Sequence, residues 1–432
     1  MKIRLVVVKG PHLGEQFLFA HHEHFLVGRA PVAHFRLGDK DPYVSRLHFV
    51  IEANPPACRL LDLNSSNGTL LNGTLTKTAD LKDGDLLQAG ETTFRLSLVL
   101  EPHETIEDTV VGLHPPRRPD LGPGSRQDTA EVDNSFELIP EEAASVGWSP
   151  PGYRLLSRIG EGAMGTVYRA RRLADAAVVA VKIVKQAYAT SPADRQRFLR
   201  EIEVMRQVNH RHIVTLLEGG CSDEELFLVM ELVEGDNLEQ WVSQRKEKSA
   251  EPLPIATAVK LILPILDALH AAHTSGFVHR DVKPANIFLK REGRAIRPVL
   301  GDFGLARAYQ ETQLSGLTLT GELRGTLRYM APEQITDARR AQPASDQYSA
   351  AATLYWLLAG RHTHDFEAAV PRALCQVLLE DPVPLAGRRE GIPPGIVTAV
   401  HRALAKKTEE RFPSIAEFRR ALLASLRRLS RS

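Results

Sequence analysis

The strongest local signal in this chain is the octet His279-Arg280-Asp281-Val282-Lys283-Pro284-Ala285-Asn286. Asp281 can accept the proton of an attacking hydroxyl, because a carboxylate is a suitable general base. Lys283 can stabilise a transferring phosphoryl group, and Asn286 can supply an oxygen to Mg²⁺. The octet therefore predicts phosphoryl transfer to a hydroxyl group.

A second carboxylate follows the octet. Asp302-Phe303-Gly304 begins sixteen residues after Asn286, and Asp302 is a candidate metal ligand. The amide oxygen and the carboxylate are hard ligands of the kind that Mg²⁺ prefers. A divalent ion held by Asn286 and Asp302 would neutralise phosphates while Asp281 positions the nucleophile.

A glycine-rich segment precedes the octet: Gly160-Glu161-Gly162-Ala163-Met164-Gly165-Thr166-Val167. This G-x-G-x-x-G-x-V pattern is weak evidence alone, and a glycine-rich hairpin is the simpler alternative. It lies between two strand patterns rather than between a strand and a helix. That position disfavours a dinucleotide site and favours a loop that folds over nucleotide phosphates.

An apolar strand follows and contains Lys182, fifteen residues after Val167. A lysine in this position can reach the α- and β-phosphates of a nucleotide. Glu201, on the next predicted helix, is a suitable partner for its charge. The alternatives are a solvated strand lysine and a surface glutamate.

Residues 153–425 resemble a eukaryotic-like Ser/Thr protein kinase of the bacterial type. The motifs occur in the family's order: the glycine loop, Lys182, Glu201, the 279–286 octet, Asp302-Phe303-Gly304 and Ala331-Pro332-Glu333. The resemblance implies a bilobal α+β fold and transfer of the ATP γ-phosphate to Ser/Thr hydroxyls. It implies that Asp281, Lys182, Lys283 and Glu201 are catalytic, and that Asn286 and Asp302 bind Mg²⁺.

The resemblance also implies an ATP site and its supports. The implied ATP-binding residues are Ile159, Gly160, Glu161, Gly162, Ala163, Met164, Gly165, Thr166, Val167, Ala180, Lys182, Glu231 and Val233. Met230 would be the gatekeeper, Asp346 would bond the catalytic loop, and Arg411 would pair with Glu333. One departure from the family pattern, at 361–366, puts a surface near the substrate groove in doubt.

Arg280 suggests regulation by phosphorylation. In the family, such an arginine pairs with a phosphate on the activation loop, and a phosphothreonine would supply that charge. Thr318 and Thr320 precede Thr326 at the spacing of autophosphorylation sites in bacterial relatives. We therefore expect both threonines to be autophosphorylated.

The first hundred residues form a different pattern of short β-rich runs with turn signals such as Asn67-Gly68 between them. This spacing predicts an all-β sandwich. The motifs Gly28-Arg29, Ser45-Arg46-Leu47-His48 and Ser65-Ser66-Asn67-Gly68-Thr69 resemble those of a forkhead-associated (FHA) domain. The resemblance implies a phosphothreonine site made of Arg29, Ser45, Arg46, Ser66 and Asn67, while His48 braces the loop.

Prolines and weak periodicity mark residues 101–151 as an extended linker. We thus expect an FHA domain at 1–100, a flexible Pro-rich linker at 101–151 and a kinase domain at 152–425. Thr105, in the linker, is a candidate ligand for the FHA domain after phosphorylation, in cis; phosphorylated partners in trans are the alternative.

Composition limits the other partners. Lys+Arg 54 against Asp+Glu 53 leaves a net charge of +1, which does not favour nucleic acid. The three cysteines are far apart, and the apolar run 261–272 is short and interrupted by Pro264 and Asp267. We expect a cytoplasmic protein without a membrane span or disulfide framework. The segment His21-His22-Glu23-His24 invites a metal site, which we disfavour because no further ligand motif joins it.

Two alternatives remain. A non-catalytic scaffold with a degenerate kinase domain could display the phosphothreonine reader, but such proteins usually lose the equivalents of Lys182, Asp281 or Asp302. A small-molecule phosphotransferase would rarely carry the Ala331-Pro332-Glu333 segment. Substrates, the activating signal and a possible dimer required for activation stay open.

Overall fold

The structure is a computed structural model of the 432-residue chain. It describes residues 1–38, 41–99, 148–162, 165–185, 192–223, 225–248, 252–293, 295–302, 325–337, 341–367 and 369–429. Most of the predicted linker, Ala163, Met164, and both candidate autophosphorylation threonines, Thr318 and Thr320, lie outside the described residues.

The N-terminal part folds into two β-sheets. The strands are β1 (Lys2–Lys9), β2 (Gln16–Phe19), β3 (Glu23–Gly28), β4 (Phe35–Arg36), β5 (Phe49–Asn54), β6 (Ala57–Asp62), β7 (Thr69–Leu71), β8 (Thr74–Thr76), β9 (Thr78–Asp80), β10 (Leu86–Ala89) and β11 (Thr92–Val99). One sheet has the order β2-β1-β11-β10-β7-β8, and the other has the order β4-β3-β5-β6-β9. The all-β expectation is confirmed.

The two sheets enclose one core because alternate strand residues point to opposite faces. Phe25 and Val27 of β3 pair with Ile51 and Phe49 of β5, and all four side chains are buried between the sheets. On the outer face of the same two strands, Leu26 and Val50 are apolar and buried as well. An antiparallel sheet that is apolar on both faces needs a second covering layer.

The middle of the chain forms the N-terminal lobe of the second part. Its sheet has the order β12-β13-β14-β16-β15. The strands are β12 (Tyr153–Gly162), β13 (Gly165–Arg172), β14 (Val178–Val184), β15 (Leu216–Ser222) and β16 (Glu225–Glu231), and helix α1 (Pro192–Arg206) packs against β15. The first three strands agree with the sequence-based expectation, whereas β15 and β16 were not predicted as a pair.

The remaining residues form a helical lobe with one β-hairpin. Its elements are α2 (Leu238–Lys248), α3 (Ile255–Thr274), β17 (Ile287–Glu292), β18 (Ala295–Leu300), α4 (Pro332–Thr336), α5 (Pro343–Ala359), α6 (Val370–Leu379), α7 (Pro394–Ala403) and α8 (Ile415–Leu429). Helix α3 lies at the centre of this lobe and contacts α5 and α8.

Helix α3 is also the one helix, among the described residues, that is long and apolar enough to cross a membrane. A buried core helix satisfies the same criteria of length and composition. Ten of its residues are buried, including Val259, Ile262 and Leu266, so its apolar character is accounted for by packing within the lobe.

The N-terminal sandwich packs directly on the helical lobe. Leu26 and Val50, on the outer face of β3 and β5, share a buried apolar cluster with Leu374 and Val377 of α6 and Ile335 of α4. The ring nitrogen Nδ1 of His24 lies 3.3 Å from the carbonyl oxygen of Ile335. Helix α6 and helix α4 therefore supply the covering layer that the outer face of the sheet requires.

Candidate functional site

The catalytic octet is fixed by one buried carboxylate from helix α5. Asp346 has no exposed surface and accepts hydrogen bonds from the backbone N–H of His279 (2.8 Å) and of Arg280 (2.7 Å). His273 Nε2 lies 2.8 Å from the same side chain. Arg280 adopts a positive φ of 70°, a conformation that costs a non-glycine residue energy and persists only where the surroundings enforce it.

The pKa of Asp346 is lowered in the folded chain. Burial alone would raise this pKa, but the hydrogen bond and charge of His273, together with His279, favour the carboxylate and prevail. A carboxyl group with a lowered folded pKa stabilises the fold above its ordinary pKa and loses that contribution as the pH falls through the folded value. The positioning of the octet is therefore sensitive to strong acid.

The two carboxylate oxygens of Asp281 differ in their hydrogen bonding. Its Oδ2 accepts from Asn286 Nδ2 at 2.9 Å and lies 2.9 Å from Lys283 Nζ. Its Oδ1 is buried and has no hydrogen-bond partner within the described part of the chain. Because an unpaired buried carboxylate oxygen is costly, this atom is suited to receive a hydrogen bond from a substrate hydroxyl.

Lys283 connects the octet to the segment before α4. Its ammonium donates to Thr326 Oγ1 at 2.9 Å as well as pairing with Asp281. This contact places Thr326, in the segment before α4, beside Asp281, the candidate base.

Lys182 lies in β14, the central strand of the N-terminal lobe. In the antiparallel sheet it pairs with Val167 of β13 on one side and with Leu228 of β16 on the other. Its Nζ lies 2.9 Å from Asp302 Oδ1, and the lysine is 5% exposed. Burial would raise the pKa of Asp302, but the charge and hydrogen bond of Lys182 lower it. Glu201 lies on α1 and is half-buried; its pairing with Lys182 stays a prediction.

The glycines of the loop have distinct surroundings. A Cβ built on Gly165 would lie 2.1 Å from the carbonyl oxygen of Ile183, so only glycine fits there. A Cβ built on Gly162 would meet nothing within 4 Å. Gly165 thus permits β13 to approach β14 closely, while Gly162 borders open space.

The expected adenine contacts lie at the end of β16. Met230 lines a small apolar cavity that also includes Asp302 and Leu228. Glu231 donates its backbone N–H to the carbonyl of Thr215 (3.0 Å), and its carboxylate lies 2.7 Å from Lys290 Nζ. The adenine contacts of Glu231 and Val233 remain predictions.

Helix α4 is anchored by the ion pair that the sequence predicted. Arg411 is 2% exposed and makes two parallel bonds to Glu333, with Nη1–Oε1 at 2.7 Å and Nη2–Oε2 at 2.8 Å. The next residue of the helix, Gln334, donates to the carbonyl oxygen of Arg280 at 2.9 Å. Through these bonds α4 supports the catalytic octet.

The departure at 361–366 packs against the segment that precedes α4. His362 Nε2 lies 3.1 Å from Arg328 Nη1, and its ring meets Tyr329 edge-on at 5.6 Å. Burial, with added repulsion from Arg328, lowers the pKa of His362 to about 4. The imidazole is therefore neutral at physiological pH and serves as a packing and hydrogen-bonding group.

The candidate metal ligands fit a divalent cation. Asn286 donates through Nδ2 to the backbone carbonyl and carboxylate of Asp281, so its Oδ1 is the atom that can bind a cation. The carboxylate of Asp302 and this amide oxygen form a hard-oxygen donor set. When bound, the cation would supply charge neutralisation of the phosphates.

The candidate phosphothreonine residues converge at one end of the sandwich. Arg29 donates through Nε to the carbonyl of Val44, and the backbone N–H of Ser66 donates to Ser45 Oγ at 2.9 Å. Asn67 Nδ2 donates to the carbonyl of Tyr43 at 2.7 Å. Arg46 lines the same cleft as Arg29, Ser45 and Ser66.

His48 lies beneath these loops and has no exposed surface. It accepts at Nδ1 from the backbone N–H of Ser45 (3.1 Å), and its Nε2 lies 3.1 Å from the carbonyl oxygen of Gly68. Burial lowers the pKa of His48, which keeps it neutral. It joins the two phosphate-binding loops, as the bracing role requires.

Glu52 joins His22 and His24 in a cluster of candidate metal ligands that the sequence did not reveal. His24 pairs across the sheet with Glu52, and the ligand atoms of His22, His24 and Glu52 lie within 4.8 Å of one another. The expectation that no further ligand joins this segment is therefore wrong, because strand pairing brings in a residue 28 positions away. The cluster borders the contact with α4, where His24 meets Ile335.

The two-lobed fold and the convergence of Lys182, Asp281, Asn286 and Asp302 define a protein kinase. Comparison with known families agrees: residues 153–381 match the protein kinase domain, and residues 25–90 match the FHA domain. The kinase match covers more than half of the chain, and the chain belongs to the protein kinase family. The predicted fold classes of both parts are confirmed.

Curated relatives are bacterial serine/threonine-protein kinases. Pkn1 of Myxococcus xanthus is 34% identical over 294 residues, which are 67% of this chain and 40% of that protein. PkaA of Streptomyces coelicolor is 37% identical over 281 residues, which are 62% of this chain and 49% of that protein. The chain thus spans about half or less of the length of these two relatives.

Solved structures show the same similarity. The kinase domain of PknI from Mycobacterium tuberculosis is 29% identical, with a TM-score of 0.51, and the match covers 66% of this chain and all of that domain. Membership of the kinase family implies ATP and a divalent metal as the cofactors of this fold. Nothing in these comparisons supports the non-catalytic scaffold.

Proposed function

We propose that this chain is an active, Mg²⁺-dependent Ser/Thr protein kinase of the cytoplasm. The observation that carries the proposal is that the buried Oδ1 of Asp281, beside Lys283, has no hydrogen-bond partner among the described residues. The glycine loop would cover ATP, Lys182 would hold its phosphates, and Asn286 and Asp302 would hold the metal. Asp281 orients the hydroxyl of a serine or threonine and receives its proton.

Incubation of the chain with γ-labelled ATP, Mg²⁺ and a generic protein substrate tests this proposal. Phosphoamino acid analysis should find the label on serine and threonine. Absence of transfer, with the chain still folded, would favour the scaffold, and label on a small metabolite alone would favour the small-molecule phosphotransferase. We also propose autophosphorylation at Thr318 and Thr320, which a Thr318→Ala/Thr320→Ala variant tests through loss of most activity.

We further propose that the FHA domain binds phosphothreonine. The convergence of Arg29, Ser45 and Ser66 supports this, because an arginine and hydroxyl groups at one point suit a phosphate dianion. Arg46 adds positive charge, and Asn67 would bond the main chain of the ligand. Candidate ligands are the phosphorylated Thr105 segment of the same chain and phosphorylated substrates.

Calorimetry on the full chain tests phosphothreonine binding. A peptide of residues 101–110 phosphorylated at Thr105 should bind, the unphosphorylated peptide should not, and Arg29→Ala should remove binding. Equal affinity for the two peptides, or no effect of Arg29→Ala, would contradict the role of this domain as a phosphothreonine reader.

A further inference from the structure

The contact between the sandwich and the kinase C-terminal lobe brings the phosphothreonine loops next to helix α6. Leu47 and Leu63, which belong to those loops, are buried in the same cluster as Leu374 and Leu378 of α6. Cys375 Sγ lies 3.7 Å from the carbonyl oxygen of Leu63. The position of the loops relative to α6 is thus set by contacts of apolar side chains within a few residues of Ser45 and Ser66.

An open cleft of about 410 Å³ lies at this junction. The FHA side of its lining consists of Arg29, Ser45, Arg46, Leu47, Leu63, Asn64 and Ser66, and the kinase side consists of Arg372, Cys375 and Leu379. Four of the five candidate phosphothreonine residues therefore face a wall that the kinase domain provides.

The residues that line this cleft include three arginines and no carboxylate. Arg372 adds a third cation to a cleft that already holds Arg29 and Arg46. The guanidinium pairs with Glu367 through Nε (3.1 Å) and with Glu380 through Nη1. No partner of its Nη2 occurs among the described residues, and a third of its side chain is exposed. This nitrogen can donate to a carboxylate of a ligand in the cleft.

We propose that α6 of the kinase domain forms the second wall of the phosphothreonine site, where Arg372 selects phosphothreonine peptides with acidic neighbours. The inference rests on the phosphothreonine-reading role proposed above. The phosphate binds to Arg29, Ser45 and Ser66, and a flanking carboxylate binds to Arg372. The Thr105 segment has this chemistry, because Glu104, Glu107 and Asp108 surround its threonine.

The test uses the full chain and two phosphopeptides of residues 101–110. One peptide has the native sequence, and the other has Gln or Asn in place of the acidic residues. Arg372→Ala should weaken binding of the native phosphopeptide about fivefold, the scale of a partly exposed ion pair, and should change binding of the neutral phosphopeptide less than twofold. Arg420→Ala, an exposed arginine on α8, is the matched control and should leave both affinities unchanged.

A second variant tests whether Arg372 affects peptide binding only when α6 is docked on the sandwich. Val50→Glu places a charge in the apolar contact and should release α6 from the sandwich. In that background Arg372→Ala should have no further effect on binding, because the wall is already lost. Thermal unfolding of each variant confirms that the chain is folded.

The outcomes separate the two proposals. Suppose that Arg29→Ala removes binding but Arg372→Ala leaves the affinity for both phosphopeptides within twofold of the wild type. The proposed role of α6 in the site is then wrong, and the proposed phosphothreonine binding by the FHA domain stands. If Arg372→Ala weakens both phosphopeptides equally, selection of acidic neighbours is wrong. If phosphorylation of the peptide makes no difference, the reader itself is wrong.

Discussion

Single residues of this chain show which positions the catalytic geometry constrains. Arg280 and Asp302 both adopt positive φ values, 70° and 55°, although neither is glycine. Such conformations cost of the order of 1–3 kcal/mol each and cluster at active sites. Here Asp346 holds the backbone of Arg280 and Lys182 pairs with Asp302, so both of these backbone conformations are held by buried charged partners.

Two glycines of the glycine loop, Gly165 and Gly162, should differ in how well they tolerate substitution. Gly165→Ala should destabilise the N-terminal lobe by about 1–3 kcal/mol, because the new Cβ would meet the carbonyl oxygen of Ile183 at 2.1 Å. Gly162→Ala, which has open space around it, is the matched control and should change stability by less than about 0.5 kcal/mol. Urea unfolding measures both. Equal stability of the two variants would contradict the close approach of β13 to β14.

The residue types of the catalytic site were the feature that the sequence predicted best. Lys182, Asp281, Asn286 and Asp302 stand in motifs whose residue types are fixed by phosphate and metal chemistry, and the structure brings them together. Arg372 carried no such signal. Its role depends on a neighbour from the other domain, which no local pattern encodes.

Among the secondary-structure elements, helix α4 depends most on one buried pair. Arg411 bonds both oxygens of Glu333 and also donates to the carbonyls of Ala405 and Ala344 at 2.8 Å each. Ser345 donates to the same carboxylate at 2.7 Å. Removing one member of such a pair leaves a buried charge without compensation.

Arg411→Met should therefore destabilise the C-terminal lobe by about 3–5 kcal/mol. Arg420→Met, which removes an exposed arginine beside Glu417, should cost less than about 0.5 kcal/mol. Urea unfolding followed by tryptophan fluorescence is specific for the kinase part, since Trp241 and Trp356 belong to its C-terminal lobe and Trp148 packs against its N-terminal lobe. Similar midpoints for the two variants would show that the Glu333 pair does not anchor α4.

Elements with strong periodicity were predicted well, and short or buried ones were not. The strands expected on either side of the glycine-rich segment and around Lys182 correspond to β12–β14, and the helix expected to carry Glu201 corresponds to α1. Strands β4, β8, β9, β10, β15, β17 and β18 and helix α2 were missed. The first four strands have two to four residues, too few for a period of two to stand out, and α2 has a weak apolar face with Leu238 and Val242 buried.

At the scale of the whole molecule, an apolar contact joins the N-terminal sandwich to the helical lobe of the kinase domain. The sequence indicates only one side of this contact. Phe25-Leu26-Val27 and Phe49-Val50-Ile51 are apolar at every position, a pattern that indicates strands covered on both faces. Which surface covers them could not be predicted, because His24 and Ile335 are 311 residues apart in the chain.

The contact predicts a conformational response to one substitution. Val50→Glu should expose α4 and α6, because a buried carboxylate among Leu26, Leu374 and Val377 is unfavourable. The sandwich itself should remain folded, since the new side chain lies on its outer face. Hydrogen exchange of the full chain carrying Val50→Glu should be faster in α6 than in the wild type. The control variant Leu18→Glu, at an exposed position of β2, should leave the exchange rate of α6 unchanged. Unchanged exchange in α6 would contradict the docked arrangement.

The most direct test of the central claim measures ATP binding and phosphoryl transfer in the same preparation of Asp281→Asn. The asparagine keeps the shape of the side chain and removes the oxygen that accepts the proton, so transfer to a protein substrate should fall by about 10²–10⁴-fold while the Kd for ATP stays within about threefold of the wild type. Near-normal transfer by Asp281→Asn would contradict the assignment of Asp281 as the base of an active protein kinase.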